Sequence, residues 1–488
     1  MSPSTSTIPS TQPPTFESLG VKPLINCYGT YTIISGSRAL KQVTEAMLEA
    51  TNHYVHMDEL MEKVGQRLAE LTGAEWGYIT AGCAAALTEL CAACIAGSDP
   101  EKMARLPDSR GMRNEVIIQK GHRNPYDRAF RLAGAEMIEV VTVADLRAAI
   151  SERTAMVAFI GDLENLGQIP AQEMIRIAHE HNLPCIVDAA AQRPDVPNRY
   201  LLMGADAVAY SGGKHLRGPQ ASGLVLGRKD LLQAAFLNSA PHHGVARPMK
   251  VGKEEIMGLL AAVEAWILGR DHQAEWRMWE GFLETIRRAV STLPSVRTEI
   301  RQPGVANVAP TLFISWDEEV LHCTPSEIQQ ELYYGEPRIA LHCLPDGLSV
   351  MPFMMEAGDD EIVAKRLQDL LRSKLVREPI SPEEAPPPAN VAGTWEVHTQ
   401  YILGKSVHSM NLRQDGNALS GSYRSQYSLT EVKGKVRGQE VKFSVVLGFE
   451  ANMVEYVYTG LVEGDTMSGT VTLGEYGSAQ WTARRVSC

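Results

Sequence analysis

The chain has 488 residues, 44% of them hydrophobic, and carries 46 Lys and Arg against 58 Asp and Glu, a formal net charge of -12. That length allows about three domains at a typical 150 or so residues each, so a large buried core is available. The acidic balance, with no run of Lys or Arg, offers no stripe for a phosphate backbone and argues against a nucleic-acid partner. No stretch reaches the roughly 18 unbroken apolar residues of a membrane span, so a cytoplasmic protein with no membrane partner is expected.

In chain order, residues 1–19 are rich in Ser, Thr and Pro and read as a disordered tail. From about residue 70 to 230 short apolar runs alternate with helical patterns, as in βαβ units around a parallel sheet. The runs are Trp76–Thr80, Glu115–Ile118, Ala155–Ile160, Pro184–Asp188, Ala205–Tyr210 and Gly223–Leu226. A long helical stretch is predicted over Lys253–Leu293, then a smaller α+β region. This divides the chain before the next segment into a large domain, 20–295, and a small one, 296–376. The Pro-rich, charged segment 377–393 reads as a linker. Beyond it, alternating runs such as Thr394–Thr399, Ser406–Arg413, Val441–Val446, Val454–Val462 and Met467–Leu473 predict an antiparallel β-barrel or sandwich over 394–488. Its motif GDTMSGTVTLGEYG resembles a small β-domain that bacteria attach to various enzymes, a likeness that names no activity; a structural or oligomer-contact module is expected, with a ligand-binding barrel the alternative.

The eight cysteines show no metal-ligand spacing, and no metal is expected. The nearest approach, Cys91 and Cys94, falls in an Ala-rich helix and reads as two buried residues.

Three features in order suit pyridoxal 5′-phosphate (PLP), which needs a lysine for covalent attachment, an anion beside its ring nitrogen and a phosphate cradle. Lys214 lies just beyond a strand in Ser-Gly-Gly-Lys. Gly-Gly-Lys alone is weak, since most such lysines are solvated turn residues. Asp188 closes the run Pro-Cys-Ile-Val-Asp and is followed by Ala189 to Ala191, small enough for a flat ring to lie against. A strand's carboxyl end is where open parallel sheets bind ligands, although a lone aspartate there is more often a helix cap. The strand-to-helix turn Thr80-Ala-Gly-Cys offers backbone N–H groups for a phosphate, with Gly82 allowing close approach, Cys83 or Thr80 adding a side chain and Ser211 a further donor. His122, in Gly-His-Arg-Asn-Pro after a strand, could stack on the ring.

Together these residues resemble the PLP-dependent fold-type-I family of selenocysteine synthase (L-seryl-tRNA selenium transferase) and D-glucosaminate-6-phosphate ammonia-lyase. The likeness spans about residues 18–375 through VKPLINCYGTYT, HMDELMEKVGQRLAELTGAE, GHRNPYDRA, VDAAAQ, SGGKHLRGPQASG and RPMKVGKEEI. It implies Lys214 as the Schiff-base lysine, Asp188 as the ring-nitrogen partner, His122 as the stacking ring and Gly82, Cys83 and Ser211 as phosphate ligands. Two departures are a cysteine at 83, where relatives often carry a hydroxyl or amide, and no tRNA-binding domain ahead of the core, which disfavours a tRNA substrate.

The resemblance favours α,β-elimination of a small amino acid or amino sugar acid to a 2-oxo acid and ammonia, with Lys214 as the base at Cα. A racemase, epimerase or aldolase would use the same Lys214 and Asp188 with a second acid or base, for which His56, His215 and Tyr28 are unranked candidates. A purely ligand-binding role is opposed by the intact lysine, aspartate and phosphate turn. Arg338 is the candidate for a substrate carboxylate, with a surface ion pair the competing reading. Arg247, Lys250 and Lys253 form a cationic cluster that suits a phosphorylated substrate or a neighbour's cofactor, or is a solvated face. The resemblance implies that the stretch Asn26–Thr32 and the segment Tyr54-Val-His56 line the site across a homodimer or larger even oligomer.

Overall fold

The computed structural model describes residues 13–304, 307–375 and 387–486. Residues 1–12 of the expected tail and 377–386 of the expected linker lie outside these. The chain divides into two compact units, one carrying the residues up to Arg377 and the other those after it, with Arg123–Asp127 grouped with the second.

The first unit opens with strand β1 (Ile25–Cys27), helix α1 (Lys41–Thr51) and helix α2 (Met57–Thr72). A seven-stranded sheet follows from β2 (Trp76–Thr80), β3 (Glu115–Gln119), β4 (Glu136–Val140), β5 (Thr154–Ile160), β6 (Cys185–Asp188), β7 (Ala207–Ser211) and β8 (Gly223–Gly227). Its spatial order is β2-β8-β7-β6-β5-β3-β4, parallel except for β8, which runs antiparallel to both neighbours. Every residue of β2, β3, β5, β6 and β8 is buried, as a sheet covered on both faces requires. The apolar runs read from the sequence match these strands to within about two residues; β4 did not stand out, because Glu136 and Glu139 break its pattern at the sheet's edge. Helix α3 (Cys83–Ala96) is apolar on every side and correspondingly almost wholly buried.

The stretch predicted as one long helix is two. Helix α4 (Lys253–Glu264) ends in a π-helical turn, Ala265–Gly269, and Asp271 caps a new helix, α5 (His272–Val290), by accepting the N–H groups of Gln273 and Ala274. The break reassigns α5: its Trp279, Phe282, Leu283 and Ile286 pack in the core of the small sheet. That sheet adds β9 (Arg297–Arg301), β10 (Thr311–Ser315), β11 (Ile339–Leu344) and β12 (Gly347–Val350) in the order β1-β11-β12-β10-β9. Strand β1 pairs with β11, so the N-terminal segment begins in the small sheet. It then crosses to the large one, where Ser37 N–H donates to the Gly213 carbonyl (3.1 Å) and Leu40 N–H to that of Arg217 (3.2 Å).

The second unit is a closed barrel of eight antiparallel strands, β13 (Gly393–Gln400), β14 (Lys405–Asp415), β15 (Ala418–Arg424), β16 (Leu429–Arg437), β17 (Glu440–Phe449), β18 (Asn452–Glu463), β19 (Thr466–Thr472) and β20 (Ser478–Arg485), with β20 closing on β13. The tight hairpins at one end turn through Gly416, Gly438 and Gly464, all at positive φ. Inside, Phe443 stacks on Tyr458 with centroids 4.6 Å apart, Trp481 meets both edge-on, and Trp395 is wholly buried. The interior is thus filled with side chains, as an eight-stranded barrel of this kind allows. Part of the segment read as linker belongs to this barrel: Val391 is buried in its core and its carbonyl accepts the Trp395 indole N–H (2.9 Å).

Candidate functional site

The carboxyl ends of the parallel strands gather the central residues. Cys83, the first residue of α3, donates its thiol to Asp188 Oδ1 (3.4 Å), the last residue of β6. Asp188 Oδ1 also accepts the Ala190 N–H (3.0 Å). Lys214 sits in the turn that leaves β7, its N–H on the Ser211 carbonyl (3.4 Å), and its charge reaches Cys83. Burial pushes the Cys83 thiol well above its ordinary pKa; the Asp188 charge adds to this and Lys214 opposes it. The thiol is therefore a neutral donor to Asp188, and this turn offers a phosphate its backbone.

That backbone is open. Gly82 precedes α3 at φ 151°, no side chain caps the helix among the described residues, and a Cβ on Gly82 would meet nothing within 4 Å. The first N–H groups of α3 have no intrahelical acceptor, and with the helix dipole they form an anion site. The turn is tight: Thr80 Oγ1 donates to the Gly82 carbonyl (2.8 Å) and accepts the Gly82 N–H (3.3 Å). Gly223 of β8 backs it so closely that a Cβ would lie 2.5 Å from the Gly82 carbonyl carbon.

The lysine turn is held from several sides. Gly212 N–H donates to the Ser222 carbonyl (2.9 Å) and Gly218 N–H to that of Gly212 (2.9 Å). Arg270, buried and paired with Glu275 (2.8 Å), donates to the His215 carbonyl (2.8 Å). His215 is itself buried, with Nδ1 3.3 Å from the Gln192 carbonyl, and burial lowers its pKa to about 4.

The other sequence candidates fall elsewhere. The imidazole of His122 is wholly buried, edge-on to Phe159 with centroids 4.7 Å apart, and its Nδ1 accepts the Ile160 N–H (3.2 Å). In this arrangement the ring expected to stack on a cofactor has no open face; it braces the end of β5 instead. Arg338 precedes β11, its guanidinium 5.4 Å from the Tyr333 ring centroid and its Nε buried with no hydrogen-bond partner among the described residues. Lys253 starts α4 and donates to the Ala50 carbonyl (2.6 Å) and to Glu254. Tyr54 and His56 stand exposed between α1 and α2.

Two features escaped the sequence reading. Asp162, two residues beyond β5, accepts the Ala191 N–H through Oδ2 (3.1 Å), and its carboxyl feels the charges of both Asp188 and Lys214. Tyr28 stacks on His342 with centroids 3.9 Å apart, and Tyr31 meets both edge-on. Asp162 could have been found by the rule that singled out Asp188, an acidic residue at a strand's carboxyl end; the Tyr28–His342 pair rests on β1 meeting β11, which no local pattern announces.

A cleft of about 780 Å³ lies at the opposite end of the strands, lined by Glu75, His179, Asp206 and Arg228 among others. It opens where β2, β6 and β7 begin, so we place the chemistry at the other end, where the ligand-competent groups converge. Among the described residues no cluster of His, Cys, Asp or Glu could hold a metal ion, and no helix is long and apolar enough to cross a membrane.

A lysine, a buried aspartate and an uncapped helix N-terminus meeting at the carboxyl edge of a mostly parallel sheet define a PLP-dependent enzyme of fold type I. Comparison with known proteins agrees. The aminotransferase class-V family model matches residues 130–243. The chain is 31% identical over 374 residues to D-glucosaminate-6-phosphate ammonia lyase of Salmonella typhimurium, covering 73% of this chain and 98% of that protein. It is also 31% identical to a 5′-C-glycyluridine monooxygenase-decarboxylase of a Streptomyces species, over 73% and 92% of the two chains. L-seryl-tRNA(Sec) selenium transferase of Mannheimia succiniciproducens is 29% identical over half of this chain and 55% of its own. A solved structure of D-glucosaminate-6-phosphate ammonia-lyase superposes with a TM-score of 0.66 at 29% identity, covering 75% of this chain and all of that one. The chain belongs to the PLP-dependent family that includes this ammonia lyase and the selenocysteine synthases.

Proposed function

We propose that this enzyme acts on a small amino acid or amino sugar acid with a leaving group at Cβ, removing that group and the Cα proton by α,β-elimination to give an enamine that water hydrolyses to a 2-oxo acid and ammonia. The observation that carries the reading is the convergence of Cys83, Asp188 and Lys214 at one strand edge, in a chain that matches an ammonia lyase over nearly that protein's whole length. The donor set fits PLP: an amine on Lys214, an anion on Asp188, and open N–H groups at Gly82 and Cys83 with room beside them. When bound, PLP supplies an electron sink for charge that develops at the substrate's Cα.

The chain's own residues do the rest. Lys214 attaches the cofactor and, once displaced by substrate, takes the proton from Cα with its Nζ. Asp188 keeps a negative charge beside the ring nitrogen, and the thiol of Cys83, by donating to its Oδ1, holds that carboxylate in place. The start of α3 and Ser211 hold the phosphate. Arg338, whose buried Nε lacks a partner, receives the substrate carboxylate. Tyr54, His56 and the Arg247–Lys253 cluster act across a subunit boundary in a homodimer or larger even oligomer. The partner is a small molecule rather than a nucleic acid, and the setting is the cytoplasm.

Incubating the purified enzyme with a panel of β-hydroxy and β-phospho amino acids and amino sugar acids tests this. Release of 2-oxo acid and ammonia in equal amounts is expected. D/L interconversion without 2-oxo acid would favour a racemase. Oxygen uptake with CO₂ release would instead place the enzyme with the reaction named for the Streptomyces relative.

A further inference from the structure

One carboxyl group of the site is used by nothing so far. Strand β5 ends at Ile160, register partner of Asp188 on β6, and the chain then turns through Gly161 and Asp162. Asp162 Oδ2 accepts the Ala191 N–H, but Oδ1 is closed to solvent and has no hydrogen-bond partner among the described residues. A carboxyl oxygen left in this state beside Asp188 and Lys214 awaits a partner that the protein does not provide.

The turn that carries it is fixed. A Cβ on Gly161 would lie 2.7 Å from the Tyr200 hydroxyl and 2.9 Å from Gln192 Nε2, so side chains pack closely against the turn at this point. His122 clamps both flanks, accepting the Ile160 N–H at Nδ1 and hydrogen-bonding the backbone at Leu163. Burial lowers the imidazole pKa to about 4, so this clamp is neutral and adds no charge beside the carboxyl.

The charged and titratable groups around Asp162 come from each element packed there: Asp188 from β6, Lys214 from the turn after β7 and the Cys83 thiol from α3. Glu164, further along the same turn, is paired with Arg199 (2.9 Å). Burial first, then the Asp188 charge, raises the Asp162 pKa to about 7, against the opposing pull of Lys214 and the Ala191 N–H. A carboxyl raised this far is protonated below about pH 7 and is then a donor, whose natural partner is an anionic oxygen. Of the cofactor's anionic oxygens the phosphate is served by α3, which leaves the oxygen on the ring.

We infer that Asp162 is a ligand-contacting acid of the cofactor site, donating its proton through Oδ1 in a hydrogen bond to the ring oxygen of bound PLP, with His122 as the residue that positions it. This rests on the assignment of Lys214 and Asp188 as cofactor ligands.

The test is the dissociation constant of PLP, measured by absorbance between pH 6 and 8.5 for the full chain and its variants. A hydrogen bond to a charged partner contributes enough that Asp162→Ala should bind roughly tenfold or more weakly at pH 6. Asp162→Asn keeps a donor but cannot ionise, so it should match the wild type within about threefold at pH 6 and stay bound where the wild type weakens above pH 7. His122→Ala should weaken binding too, and adding it to Asp162→Ala should have little further effect, a non-additivity that a merely structural histidine would not show. If Asp162→Asn follows the wild-type pH dependence, the inference falls; if the alanine variant binds within twofold at pH 6, it falls as well. Should the alanine variant not fold, the asparagine variant, equal in size, decides alone. Lys214→Ala separates failure of the underlying assignment, because a wrong lysine would leave that variant with the wild-type cofactor spectrum.

Discussion

Gly223→Ala puts a methyl group where the phosphate turn has no space. The new Cβ would lie 2.5 Å from the Gly82 carbonyl carbon, 2.6 Å from Thr80 Oγ1 and 2.7 Å from the Gly82 carbonyl oxygen, each about 1 Å short of ordinary contact. The hydrogen bonds from Thr80 Oγ1 to both backbone atoms of Gly82 make the turn rigid, so it yields as a unit. It yields toward the phosphate side, where a Cβ on Gly82 itself meets nothing within 4 Å. The N–H groups at the start of α3 move with it, and restoring them around a phosphate then requires the overpacking strain, about 1–3 kcal/mol. PLP should accordingly bind about 5- to 150-fold more weakly, while the cofactor-free protein loses little stability. Titration of the apoprotein with PLP, followed by absorbance, gives the constant, and thermal melts with and without cofactor divide the effect between the two forms. A dissociation constant within twofold of wild type, or an equal loss of melting temperature in both forms, would refute the coupling of β8 to the phosphate turn.

Asp188→Asn should retain PLP with modest loss while turnover falls by orders of magnitude, since the negative charge beside the ring nitrogen is gone; steady-state rates set against cofactor occupancy show this. Cys83, buried and with its thiol pKa pushed up, should resist alkylation by iodoacetamide at pH 8 in the folded protein while the exposed Cys343 is modified, as peptide mapping can show. Glu89 lies buried on α3 against Ser239 Oγ (2.6 Å), and burial raises its pKa to about 8. Its folded state therefore binds a proton that the unfolded chain releases above about pH 4.5, so stability declines as pH rises toward 8, and Glu89→Gln should flatten that decline in urea titrations at pH 6 and 8.5. A chain ending near Val376 should remain folded and bind PLP, because the barrel has its own core and a relative matched over 98% of its length needs only 73% of this chain; a colourless or insoluble product would show the barrel to be needed.

The placement of Lys214, Asp188 and the Gly82 turn at strand ends could be read from the sequence because each follows an apolar run. The barrel was legible for the same kind of reason, since alternation and turn residues are local. Asp162 lies as close to Asp188 as the pairing of β5 with β6 dictates, yet its sequence, Gly-Asp-Leu-Glu-Asn, reads as an ordinary turn. The fate of His122 depended on how the turn after β3 packs against β5, which spacing does not encode. Likewise α5 was assigned to the wrong core because the break at Arg270 and Asp271 comes from a cap and a π-turn inside an otherwise continuous helical pattern.

Strand β8 returns the chain from the lysine turn and inserts between β7 and β2, so that Gly223 faces Ser211 on one side and Thr80 on the other. The excursion from Gly212 to Ser222 is therefore a closed loop of fixed circumference, tied at its neck by the bond between those two residues. A single inserted or deleted residue within it would slide β8 by one position and turn Gly223 away from Gly82, replacing the one residue that fits there with a neighbour that does not. Length variation should accordingly be absent from this loop during divergence, while the polar hairpins at Gly416, Gly438 and Gly464 can lengthen without shifting the register of the barrel strands they join.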